Sequence, residues 1–161
     1  MQDDILLRYF TAEKHESLLF LAVGMAALIA SWLLYRHTIR YRGMIAPLVA
    51  IAAIQIVVGG TVFLRTDMQV AELQRKRIVA PAAFKAEEGR RMTGVMRNFE
   101  LYKAIEAALL CIGIALAALL RRRAYWHAFG LGLSLQSAFM LVLDLMAESR
   151  GQGYLDAVLR L

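Results

Sequence analysis

The chain has 161 residues, 60% of them hydrophobic, with a formal net charge of +6 and one cysteine. Ordinary soluble domains are roughly 45–50% apolar, so the composition argues against a water-soluble globule, and a lone cysteine excludes an intramolecular disulfide or a cysteine-pair metal site. The basic excess does not call for nucleic acid, because arginine and lysine flank membrane spans as a matter of course.

The chain opens with an acidic stretch holding Asp3, Asp4, Glu13 and Glu16, within which "ILLRYF" (Ile5 to Phe10) is apolar apart from one arginine. Such a short amphipathic segment suits the headgroup layer of a membrane or the side of a neighbouring helix. The first apolar run, about 17–35, contains "LLFLAVGMAALIASWLL", with no polar stripe of helical spacing. Acids rather than bases precede it, and "WLLYRH" rather than a small-residue cleavage site follows, so it does not read as a cleaved signal peptide. A short basic connection, "RHTIRYRG", leads to the second run, about 44–64, with Gln55 near its middle.

The segment 65–99 is the one sizeable polar stretch. Pro81 breaks it, and helical periodicity continues on both sides. Met92, Val95, Met96, Phe99 and Tyr102 fall at i, i+3, i+4, i+7 and i+10, one apolar face. The expectation is a helical hairpin outside the membrane, with Met92, Val95, Met96 and Phe99 as its partner-binding surface.

The third run, about 101–120, carries Glu106 and ends on Arg121, Arg122 and Arg123. The fourth, about 124–146, carries Gln136 and Asp144. Beyond it, "YLDAVLRL" gathers Tyr154, Leu155, Val158, Leu159 and Leu161 on one face, and Gly151 and Gly153 suggest a hinge before it. Each run has roughly the twenty apolar residues needed to cross hydrocarbon, and only helices can do so in this composition. The fold class is therefore an all-α integral membrane protein. One domain, 1–161, holds four transmembrane helices, the 65–99 hairpin and amphipathic terminal segments.

Sidedness follows from charge. The two short connections contain arginine and no acid, while every acid falls toward the opposite face. Basic residues concentrate on the cytoplasmic side, which places the short connections in the cytoplasm and both termini with the hairpin outside it, in a bacterial-type inner membrane. Trp32, Tyr35, Tyr41, Tyr125 and Trp126 mark the cytoplasmic boundary as an aromatic belt.

Three groups of polar side chains stand out. Gln55 and Gln136 have matching depths and can bond to each other inside the membrane. Glu16, Glu106 and Asp144 approach one level from three helices, with His15 beside Glu16. Small residues at Gly24, Ala27, Gly113 and Ala117 permit close helix approach on the same stripes. A carboxylate in hydrocarbon costs about 2.5–3.5 kcal/mol on insertion scales, so these acids read either as a proton or cation site or as a collar of salt bridges with Lys14, Arg65, Lys103 and Arg150. No nucleophile elbow, zincin, nucleotide-binding loop or Glu-x-x-His motif is present. An enzyme is disfavoured, no cofactor is expected, and a metal is left undetermined.

Two functional readings stand. The first is a binding or accessory subunit acting through the hairpin on a protein partner, toxin immunity being one such role. The second is an oligomeric cation- or proton-coupled transporter or channel using Glu16, Glu106 and Asp144. A small membrane enzyme without a known motif is the third alternative. Beyond the lipid bilayer, the expected partner is a protein or a second copy of the chain.

Overall fold

A computed structural model describes Gln2–Arg160 as four long helices: α1 (Gln2–His37), α2 (Ile45–Val79), α3 (Pro81–Leu119) and α4 (Ala124–Leu159). A 3-10 turn, Arg42–Met44, precedes α2. Leu161, counted above in the last apolar face, lies outside the described residues.

The helices are 35 to 39 residues long. At 1.5 Å per residue each runs for more than about 50 Å, against the roughly 30 Å of a hydrocarbon core. All four are long and apolar enough to cross a membrane. Each joins an apolar half, in the runs 17–35, 44–64, 101–120 and 124–146, to a polar half on the side of the two termini.

The joints are short for local reasons. Ala80 precedes a proline, which biases it toward extended backbone; its φ of −145° and ψ of 71° separate α2 from α3. Pro81 then occupies the first turn of α3, where its missing N–H costs nothing. At the other end, Nδ1 of His127 lies 2.7 Å from the Ala117 carbonyl, which belongs to the last turn of α3.

Helix α1 packs along α2 and α3 along α4, giving two hairpins. Between the hairpins α4 touches both α1 and α2, whereas α1 and α3 stand at opposite corners. The α3–α4 crossing depends on two glycines. A Cβ on Gly130 would lie 2.5 Å from the Ala117 nitrogen, and one on Gly113 would lie 2.6 Å from the Ser134 hydroxyl and 2.7 Å from its backbone nitrogen. Outward faces of the apolar half carry large aliphatic side chains: Val57, Leu64 and Leu119 are 66%, 75% and 81% exposed.

In the polar half the terminal segments take the second of the two courses open to them, packing on neighbouring helices rather than lying apart. The four arms of this half form a second bundle around Leu6, Phe10, Leu73, Phe84, Met92, Tyr154, Leu155 and Val158. The terminal segments are the unbroken ends of α1 and α4, not separate surface helices. No hinge forms at Gly151 or Gly153, because α4 continues to Leu159 and Gly151 is packed against the Met96 methyl group. Tyr9 and Tyr154 stack with centroids 4.3 Å apart, and Lys76 ties α2 to Glu87 of α3 at 3.0 Å.

Candidate functional site

A cavity of about 520 Å³ lies between the two hairpins. Its size falls within the roughly 300–1,000 Å³ of small-molecule sites. Ile54, Val58, Tyr102 and Ile105 line it and are also well exposed, so its mouth opens sideways between α2 and α3. The back wall comes from α1 and α4 and carries most of the charge. Helical register explains the set: Glu13, Glu16 and Phe20 on α1, and Ser137, Met140, Asp144 and Ala147 on α4, recur every three or four residues along one face.

Glu106 and Asp144 face each other across α3 and α4, and their carboxyl groups are within hydrogen-bonding reach. Both are buried, at 6% and 7% exposure. One oxygen of Glu106, Oε2, has no protein partner. The neighbouring Lys103 turns away to Glu148, its Nζ 2.6 Å from both carboxylate oxygens, so no cation among the described residues neutralises the pair.

Glu16 does not join them. It pairs with Arg150 of α4, leaving its Oε1 buried and unpartnered. Among the described residues no group of three or more His, Cys, Asp or Glu side chains is arranged to hold a metal ion. The three-helix convergence expected from the sequence is thus a pair plus a separate ion pair. The reason is that Arg150, one and a half turns beyond Asp144, reaches Glu16 first. His15 is exposed, since its successor on the helix, Glu16, takes the inward position.

Other charges of the polar half are paired. Lys14 holds Asp67 at 2.6 Å. Glu88, buried in the polar core, receives Nε and a terminal nitrogen of Arg91, each at 2.7 Å. Burial raises Glu13 above the ordinary carboxylate range, and Arg65, Arg91 and Arg150 act against that rise. Burial likewise pushes the Tyr154 hydroxyl up, with the Glu88 carboxylate adding to it.

Deeper in the apolar half, Gln136 of α4 donates Nε2 to Oε1 of Gln55 on α2 at 2.7 Å. Neither is solvent-exposed. The pair lies where α2 and α4 approach each other, and Ser137 beside it lines the cavity and has a buried, unpartnered hydroxyl.

The face assigned above to a partner is turned inward. Met92 is fully buried, Val95 and Met96 pack against the polar core, and Phe99 lines the cavity. An apolar stripe on a long helix signals burial but not what covers it. Here the covering elements are the chain's own termini. The residues that sequence reasoning passed over are Tyr9, Arg91 and Ser137. Their signal was register with Glu13, Val95 and Asp144, readable only once the inward face of each helix is known.

No protein-family model, no curated protein and no solved structure matches this chain.

Proposed function

We propose that the chain is a multi-pass membrane protein that exchanges a proton or a cation at the Glu106–Asp144 pair. The apolar half lies in the bilayer, and the cavity faces the lipid between α2 and α3. The polar half stands outside the cytoplasm with both termini, in a bacterial-type inner membrane, and the arginine-rich connections face the cytoplasm. The carrying observation is the pair itself: two buried carboxyl groups in contact, one oxygen unpartnered and no cation of the described residues beside them. Such a pair can be neutralised only by something that comes and goes, a proton or a positively charged ligand. A collar of salt bridges accounts for Glu16 and Glu148 but not for Glu106 and Asp144.

This ordering reverses the one the sequence favours. A partner-binding role through Met92, Val95, Met96 and Phe99 would require those side chains at the surface, and they are engaged within the fold. Reading the chain as a carrier rather than an enzyme rests on the absence of a nucleophile or base motif in the sequence.

The test is infrared difference spectroscopy of the protein in lipid, between pH 5 and pH 8. A carboxyl band that changes with pH and disappears in both Glu106→Gln and Asp144→Asn supports proton exchange at the pair. A spectrum in which no carboxyl band depends on those two residues removes the proposal.

A further inference from the structure

We infer that the cavity binds an organic cation with an apolar body, which enters sideways between α2 and α3 and takes the place of a proton at Glu106–Asp144. The inference rests on the carboxyl pair being exchangeable, and it adds the class of ligand.

The sign of the ligand follows from which polar atoms are left over. Among the described residues, five side chains of the cavity lining each carry a buried atom without a hydrogen-bond partner: Oε2 of Glu13, Oε1 of Glu16, Oε2 of Glu106, Oγ of Ser137 and Nε of Arg150. Three are carboxylate oxygens and one is a hydroxyl; only one is a cationic donor. Glu106 and Glu16 are themselves more than nine-tenths buried. Two of the three lining arginines are paired, Arg150 with Glu16 and Arg91 with Glu88. An anionic headgroup would meet acceptor oxygens, whereas a cation would satisfy them.

The body of the ligand follows from the walls. A small hard cation needs six or more oxygen ligands or retained water, and the cavity that holds the two carboxyl groups is lined also by Ile54, Val58, Ile105, Leu109 and Met140. These side chains suit hydrocarbon. Phe20, Phe99 and Tyr102 add ring faces of the kind that attract quaternary or phosphonium-type charge. The mouth lies in the apolar half, so an amphipathic cation dissolved in lipid reaches the pair without crossing water.

Competition with a proton makes binding pH-dependent, and the groups around the pair set its context. On α3 these are Tyr102 and Lys103, the latter bound to Glu148 of α4; on α4, Arg150; on α1, Glu13 and Glu16 with Tyr9 above them; on α2, Arg65; and Arg91 at the upper end. Of these, Glu13, Glu16 and Glu148 share the sign of the pair; the first two have an arginine nearby and Glu148 holds Lys103.

The experiment is calorimetric titration of the full chain in detergent or nanodiscs with tetraphenylphosphonium, and with tetraphenylborate as an anion of the same shape. The phosphonium should bind stoichiometrically, more tightly at pH 8 than at pH 5, and the borate should not. Glu106→Gln and Asp144→Asn should each weaken phosphonium binding by more than about tenfold, as when one partner of a buried charge contact is removed. Val58→Trp, which fills the mouth without touching a charge, should do the same if either carboxyl variant proves unstable. Glu100→Gln, outside the cavity, should leave binding unchanged. No phosphonium binding, equal or tighter borate binding, or binding indifferent to Glu106→Gln, Asp144→Asn and Val58→Trp would overturn the inference. The infrared measurement on the same samples separates the two claims. A pH-dependent carboxyl band without phosphonium binding leaves proton exchange standing and removes the organic cation.

Discussion

At the scale of single residues, Glu16 and Glu106 are near neighbours in depth with opposite surroundings, and the same substitution separates them. Glu16→Gln strands the Arg150 guanidinium, whose side chain is only 31% exposed. Breaking a fully buried pair costs about 3–5 kcal/mol, and this partly exposed one should cost less but still lower the melting temperature in detergent. Glu106→Gln strands no cation, and its amide can donate to Asp144, so melting at pH 8 should be unchanged or higher. An equal loss in both variants would mean that Glu106 has a cation partner after all. The sequence shows the depth of each acid, because depth is position within an apolar run. It does not show the partner, because Arg150 and Glu16 meet only through the packing of α1 against α4. Gln55 and Gln136 are the more legible case: each sits at the middle of a run, and few polar groups compete for its hydrogen bonds.

At the scale of elements, the four helices are readable from the apolar runs, but their lengths are not. An apolar run reports where the surroundings are apolar, and a helix goes on while its backbone bonds and side-chain packing allow. Thus α1 begins at Gln2 rather than near residue 17, and the "ILLRYF" segment supplies Leu6 and Phe10 to a core. The expected hinge at Gly151 failed for the same reason: the glycine is there to admit Met96, not to bend. Glycines in these helices therefore divide by what surrounds them. A Cβ added at Gly94 would meet nothing within 4 Å, so Gly94→Ala should stabilise by up to about 1 kcal/mol, the propensity difference between the two residues. Gly130→Ala would press on the backbone of α3 and should destabilise, overpacking typically costing about 1–3 kcal/mol. Thermal unfolding of both variants checks the contrast, and a stable Gly130→Ala would show that the crossing can relax.

At the scale of the whole molecule, the proposed orientation places Gln69 and Gln152 outside the cell and Thr38 within it. In a Cys111→Ser background, cysteine at Gln69 or Gln152 should react with an impermeant thiol reagent on intact cells, and cysteine at Thr38 should not; labelling of Thr38 alone would invert the arrangement. The helices also run without interruption from the Ala80–Pro81 tip, through the Phe10–Met92–Tyr154 core, to the mouth of the cavity and on to the arginine-rich connections. Mechanically, α2 and α3 are the two arms of one pair of tongs. They are joined at the tip, gripped partway along by aromatic and methionine side chains, and apart where Val58 and Ile105 face the opening. Spreading the arms to admit a bulky guest loads the grip, and squeezing the tip from outside changes the gap. A guest that spread the arms would thereby be felt at the far tip, on a surface that it does not touch.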